Sequence, residues 1–399
     1  MIEVGLSITG GSEEEEDNNP NSAFQGLDEE GRQRIDINKI QDNADFYGDK
    51  ITKNKHKDIL QVGFININGL PSFNEHMKNE RIFAALKDNS FDVIGMAEIN
   101  KNWGRIDLEQ SWRSRMQPWW ESSKTVQLYN IQDCGQSDFQ PGGTITHSIN
   151  RCTHKIRTSG TDPTGLGRWS WIRFQGSHNI TLTIITAYQP CKPSWATGVN
   201  TNYVQQIRYF DELEEDRDPR QALLQDLGKF IIECHNNNDQ IVLMMDANEE
   251  VSTPSFSNWV QQHGLEDLIT RDRDDVIPPT YHRGSKQIDG IFASATIHAV
   301  RSGFMEFGGF PSDHRALWFD MTYNNAFGCR MATTMTYAPR RLKSNDPKVQ
   351  KRWIELMNEH IKTHKLDKRL KAIEDQMHSP LTPQLLAEYD NIVKIQNEG

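Results

Sequence analysis

The sequence lacks the marks of several large protein classes. Its five cysteines in 399 residues (Cys134, Cys152, Cys191, Cys234, Cys329) lie far apart, with no C-x-x-C pair and no Cys/His cluster at zinc-ligand spacing. A disulfide framework and a zinc site are therefore not expected, and reduced thiols fit a nuclear or cytoplasmic (intracellular) setting. No apolar run approaches the roughly 20 residues of a membrane span, so no membrane partner is expected. Residues 1–10 carry no basic segment ahead of an apolar one, which argues against a secretory signal. The phosphate-binding pattern G-x-x-x-x-G-K-[ST] and the dinucleotide pattern G-x-G-x-x-G are both missing, which removes support for nucleotide-triphosphate and dinucleotide folds.

What remains is globular in character: 36% hydrophobic and 25% charged residues, enough for one large core or two modest ones. The net charge is -11, but it is unevenly spread. Residues 340–371 hold eleven Lys and Arg against four acids, leaving the rest near -18. Such a run reads either as a solvated helix face or as a nucleic-acid arm. An acidic remainder suits a site built around a divalent cation, since the ion is then the largest local charge.

Residues 1–57 read as a flexible acidic lead-in, with the run Glu13–Asp17 and few large apolar groups. Order is expected from Ile59, where strand-like and helical stretches begin to alternate. Strands are predicted at 59–67, 91–97, 179–188, 241–245, 287–293 and 316–321. Helices are predicted from Asn74 to Leu86, and over 203–213 and 222–234. This order predicts a layered α/β (or α+β) domain over 58–323, followed by a linker and a basic helical tail over 324–399. The tryptophans at 119, 120, 169 and 171 could stack on bases, though core packing is their ordinary use.

Polar residues gather at the C-terminal ends of the predicted strands, where loops converge in layered α/β proteins. Asn66 and Asn68 end the first and Glu98 the second. Asp246 and Asn248 follow 241–245, Asp289 lies within an apolar strand, and Asp313 and His314 precede the last. Taken singly, each has an ordinary explanation as a turn acid, a surface histidine or a tight turn. Asp289 is the exception, because a buried carboxylate between Ile288 and Ile291 needs a partner. Together they match the needs of phosphodiester cleavage. Glu98, Asp246, Asp289 and Asp313 offer the oxygen ligands that Mg²⁺ prefers (Mn²⁺ is a possible substitute), while Asn and His donors can grip the phosphate.

These segments resemble the endonuclease/exonuclease/phosphatase superfamily, which includes DNases and abasic-site endonucleases, and its motifs come in the same order. They are FININGL (64–70), DVIGMAEIN (92–100), TAYQP (186–190), MDANEE (245–250), QIDGIF (287–292) and SDHRAL (312–317). The resemblance implies a four-layer α/β sandwich of the DNase type. It implies Glu98, with Asn66 and Asn68, as the metal site, and Asp313 close by. It implies Asp246 as the group that positions or deprotonates water, Asn248 and Tyr188 as phosphate contacts, and His314 as the polarising residue oriented by Asp289. Gly142–Gly143, Thr280–Tyr281 and the segment RRLKSNDP (340–347) are similar to the endonuclease domains of LINE-type (non-LTR) retrotransposons, so an origin in such an element is expected. No polymerase segment follows within the 399 residues, and a truncated element and an endonuclease-only relative both stay open. The expected activity is metal-dependent nicking of DNA. RNA or phosphorylated lipids and inositols are alternative substrates, and a non-catalytic nucleic-acid-binding relative is the third reading.

Overall fold

A computed structural model describes residues 24–27, 33–35, 46–71 (except 54), 76–132 (except 121), 135, 138–192, 200–329 (except 275), 346–376 and 382–398. Expectations placed on Glu13–Asp17, on Asn74 as a helix cap, and on Arg340, Arg341 and Lys343 fall outside them. By its internal contacts the chain divides into two compact units, 1–331 and 332–399.

Within the first unit, β1 (Phe24–Leu27) and β2 (Gln33–Ile35) form a short antiparallel pair. Two large sheets follow. The first runs β3 (Tyr47–Gly48), β14 (Arg301–Phe304), β15 (Leu317–Thr322), β4 (Ile59–Asn66), β5 (Val93–Ala97), β7 (Thr144–Ile149) and β6 (Ser123–Leu128). The second runs β12 (Leu265–Asp267), β13 (Asp289–Ser294), β11 (Asp239–Asp246), β10 (Thr181–Tyr188), β9 (Trp169–Gln175) and β8 (Ile156–Thr161). Each sheet has one parallel pair, β4 with β5 and β10 with β11, and antiparallel neighbours around it. Parallel neighbours need a crossover, supplied by α1 (His76–Asp88) in the first case and by α3 (Asn202–Glu212) and α4 (Pro219–Asn236) in the second. Asp218 caps α4, its carboxylate accepting from the N–H of Arg220 and Gln221 ahead of Pro219 at the first helical position.

The period of two along each strand sorts the core. Val62 and Phe64 of β4, Leu182 and Ile184 of β10, and Val242 and Met244 of β11 meet between the sheets. Their alternates face outward. Ile65 and Ile94 pack under Phe83 of α1 and under Trp112 of α2 (Trp112–Met116), while Leu243 and Met245 pack under Leu227 of α4 and Phe256 of α5 (Pro254–Gln262). Helix, sheet, sheet and helix give the expected four-layer sandwich. Each fully buried Leu, Ile or Phe contributes about 1.5–3 kcal/mol.

The sheets also hold strands that hydrophobic pattern alone does not predict. In β7 all six residues are buried although four are polar. Thr146 donates to the Thr186 hydroxyl (2.8 Å), Thr144 to that of Ser170 (3.0 Å), and His147 Nδ1 meets the Thr125 hydroxyl at 2.7 Å. The partners that make this burial tolerable come from other strands. Order also begins before Ile59. Tyr47 pairs with Phe304 at the sheet edge, and Asp49 accepts from Arg273 (2.8 Å) and from the Ser302 N–H (3.0 Å). This corrects the expected start, because the anchoring partners lie more than 200 residues away. A last short helix of the unit, α6 (Tyr323–Phe327), ends at Gly328 in the left-handed region (φ 64°).

The second unit contains α7 (Pro347–Thr363), α8 (Leu366–Glu374) and α9 (Pro383–Glu398), in line with the expected helical tail. Its small core is Leu366, Ile373 and Ile392, supported by an Arg369–Glu388 ion pair at 2.6 Å.

Candidate active site

Four strand ends meet at one rim of the sandwich, and the pleat decides which side chains reach it. Asn66 continues the file of Val62 and Phe64, Asp246 that of Val242 and Met244, and Asp289 that of Ile291 and Ala293. Each therefore points into the layer between the sheets, where the apolar filling stops. Register places Tyr188 beside Asp246 and Asp246 beside Asp289. The sequence-predicted residues thus come together from strands up to 250 positions apart.

Asn66 links the two sheets. Its amide donates to Glu98 Oε2 (2.8 Å) in its own sheet and to Asp246 Oδ2 (2.7 Å) in the other, and its oxygen accepts the Asn68 N–H (2.9 Å). Asn68 donates to Asp313 Oδ2 at 3.0 Å. His314 Nδ1 meets Asp289 Oδ2 at 2.8 Å, with both groups buried. Asn248 turns back on Asp246, its N–H donating to Oδ1 (2.8 Å) and its amide to the Gln189 carbonyl (2.7 Å). Tyr188 is buried at the top of the inter-sheet core. Glu98, Asn68, Asn100 and Asn248 all take positive φ, between 46° and 54°. Left-handed backbone at non-glycine positions is strained, and its concentration at the rim is what a functional site shows.

The electrostatics are unbalanced. Among the described residues, no Lys or Arg pairs with Glu98, Asp246, Asp289 or Asp313. Removal from water raises the Glu98 carboxyl, and burial followed by the nearby Asp289 charge raises that of Asp246. Burial alone would lower the His314 imidazolium, but Asp289, Asp246 and Asp313 together outweigh it and hold the ring protonated well past its ordinary range. Burial, with Glu98 and Asp246, pushes Tyr188 well up. Asp289 Oδ1 and Asp313 Oδ1 are buried without a hydrogen-bond partner. Donor atoms of Asp246, Asp289 and His314 lie within 4.8 Å of one another, a spacing that suits a metal ion, but the protonated His314 offers no lone pair to one. Four crowded carboxylates against one imidazolium, with orphaned buried oxygens among them, fit a hard divalent ion with oxygen ligands.

Several supports escaped sequence reasoning. Lys78 of α1 donates to the carbonyls of Ile67 (2.8 Å), Asn68 (3.1 Å) and Gly69 (2.7 Å), gripping the asparagine turn. Buried Arg220 donates to the carbonyls of Pro190 (2.8 Å) and Ala247 (3.0 Å) and to Glu249 (2.7 Å), clamping the loops after β10 and β11. The Ser312 hydroxyl donates to the Asn66 carbonyl (2.5 Å) and accepts the His314 N–H (3.2 Å). Thr280 accepts the N–H groups of Ile288 (3.0 Å) and Asp289 (3.1 Å). No local pattern marks Lys78 or Arg220, whereas Ser312 and Thr280 lie within motifs legible in the sequence, the S-D-H run and the Thr280–Tyr281 pair, although their supporting bonds are not legible there. Gly142 and Gly143, at φ 86° and 88°, carry the carbonyls that accept Asn100 N–H (2.8 Å) and Ile99 N–H (3.3 Å). A Cβ on Gly143 would fall 2.7 Å from the Leu128 carbonyl, so glycine is required beneath the Glu98 turn.

Asn66 yields a direct prediction. Asn66→Ala leaves Glu98 and Asp246 without their shared donor and should weaken divalent-metal affinity by about 10–100-fold. Isothermal titration with Mn²⁺ checks this, and an unchanged affinity would remove Asn66 from the metal's surroundings.

No protein-family model matches the sequence, and no curated protein matches it. Among solved structures, the chain is similar to the human Nocturnin catalytic domain at 15% identity, covering 70% of this chain and 97% of that one, with a TM-score of 0.47. It is similar to a Bacteroides thetaiotaomicron mannosyl-6-phosphatase at 15% identity, covering 65% and 98%, TM-score 0.43. It is also similar to the endonuclease domain of TRAS1, a telomere-specific non-LTR retrotransposon, at 11% identity, covering 66% and 99%, TM-score 0.37.

Proposed function

We propose that residues 58–323 form a divalent-metal-dependent phosphodiesterase of the endonuclease/exonuclease/phosphatase type, with DNA as its substrate. The observation that carries this reading is the rim itself. A buried Asp289–His314 pair faces Asp246 and Glu98, which share the Asn66 amide, and no Lys or Arg among the described residues pairs with these acids. Glu98 and Asp313, with Asn66 and Asn68 around them, would hold the ion, and Mg²⁺ suits their oxygen donors. A bound divalent ion supplies charge stabilisation on the phosphoryl oxygens and a better leaving oxygen.

The remaining roles belong to the chain's own groups. Asp246 accepts from Asn66 and Asn248, which aims its carboxylate to orient the attacking water and accept its proton. His314 holds its Nδ1 proton against Asp289, leaving Nε2–H to donate to a non-bridging phosphate oxygen. Asn248 and Tyr188 stand beside Asp246 to fix the phosphate. The S-D-H turn and the Asx turn at Asn66–Asn68 keep these donors in place before substrate arrives.

The test is nicking of a supercoiled plasmid with Mg²⁺ or Mn²⁺, set beside EDTA. Metal-dependent conversion to open circle is expected, and abasic oligonucleotides then distinguish damage-directed from general cleavage. Intact, metal-loaded protein that leaves the plasmid supercoiled would rule out DNA as the substrate, and RNA and phosphorylated sugars or lipids would be assayed instead.

A further inference from the structure

The sandwich has a second polar concavity at its other end. A cavity of about 880 Å³ opens where β4 and β5 begin, lined by Lys53, Lys55, Lys87, Arg151, Trp119 and Trp120 among others. The active-site rim lies at the far end of β4, eight residues on, or roughly 25 Å at the rise of an extended strand. Asp92 is the only acid lining the cavity among the described residues, and Lys55 is already bonded to it and to the Ser90 carbonyl. Lys53, Lys87 and Arg151 are exposed and have no carboxylate partner. Arg151 acts on Asp92 through space, yet one carboxylate beside four cations, Lys53, Lys55, Lys87 and Arg151, is a local reversal of sign in a chain of net charge -11.

The wall is aromatic. Trp119 is half-buried, held by Phe83 (ring centroids 5.6 Å apart) and Trp120 (6.1 Å), with the Lys87 ammonium 5.7 Å from its ring centre. Cations for phosphates beside an indole for base rings is the combination that grips single-stranded nucleic acid. The volume is that of a small-ligand site, which admits nucleotides of one strand and not a duplex.

We propose that this cavity is a second binding site, separate from the catalytic rim, that takes the phosphates and a base of a single nucleic-acid strand. The choice of ligand class rests on the nucleic-acid reading above; the site's charge and shape do not.

The test is fluorescence anisotropy of a labelled 12-nucleotide single strand in EDTA, across a salt series. The variant combining Lys53→Ala, Lys87→Ala and Arg151→Ala should bind at least tenfold more weakly, with its log–log salt slope shallower by about 2. Its melting temperature, and its hydrolysis of a small chromogenic phosphodiester, should match the wild type. Asp246→Asn should show the reverse, lost hydrolysis with unchanged strand affinity. Equal affinity and slope in the triple variant would overturn the proposal. So would inorganic pyrophosphate displacing the strand at the strand's own Kd, since the cavity would then recognise bare phosphate. A wild-type protein that hydrolyses no phosphodiester would sink the catalytic reading alone, because the binding comparison needs no turnover.

Discussion

Asp246→Asn and His314→Ala should each lower phosphodiester hydrolysis by about 10²–10⁴-fold, the scale of a positioned acid–base group. The double variant should lose little more than the worse single one, because residues that act on one phosphate as a unit are non-additive. The two variants should differ in stability. Asp246 is held by three donors from Asn66 and Asn248, and the asparagine keeps its size. His314→Ala removes the one partner of the fully buried Asp289 carboxylate, which should cost about 3–5 kcal/mol. The sign of its pH dependence follows from the raised His314 pKa. A histidine whose folded pKa lies above its unfolded value of about 6.5 contributes stability fully below that pH and loses it as pH rises through the folded value. In metal-free protein the His314→Ala penalty should therefore be larger at pH 6 than in alkaline solution. Kinetics with a small diester and thermal melts at both pH values check these results. Full activity in either variant would remove the rim as the catalytic centre.

Arg168→Leu should bring a comparable loss of stability far from the chemistry. Arg168 is fully buried and forks onto Asp162, with Nε to Oδ2 at 2.7 Å and Nη2 to Oδ1 at 3.0 Å, and its third nitrogen reaches Asp226 at 3.0 Å. Asp226 keeps Arg217 (2.9 Å), but Asp162 is buried and would retain only Thr164. A stranded buried charge costs about 3–5 kcal/mol. In a unit of this size that is a fall in Tm of roughly 5–10 °C. Adding Asp162→Asn should recover part of it, since the neutral amide has less to lose from burial. The Arg168 carbonyl also accepts the Tyr188 N–H (2.9 Å), so the ion pair anchors the strand end that carries Tyr188 to the rim. Calorimetry of the single and double variants decides the matter, and an Arg168→Leu protein that melts with the wild type would show the pair to be dispensable.

Sequence by itself determined where the central strands run, to within two residues at each end, and which polar residues stand near those ends. ILQVGFIN, TLTIITAY and DQIVLMMD are apolar enough to be buried on both faces, so their continuous β-forming runs announce them wherever they fold. Asp289 was legible because burial forbids a lone carboxylate in such a run, whereas Asn66 and Asp246, each ordinary at a strand end, were legible only as members of an ordered set of motifs. Only the tertiary structure decided the rest. Strands such as SKTVQL and TITHSI carry hydroxyls and a histidine whose partners lie on other strands, and Tyr47–Gly48 is ordered by residues near 273 and 302. Lys78 and Arg220 read as ordinary helix-surface cations until the fold brings carbonyls from distant loops within 3.1 Å of them. A local pattern records what a residue would rather avoid, namely water or burial. Which partner relieves it is set by pairing across hundreds of residues, and no window of neighbouring sequence contains that information.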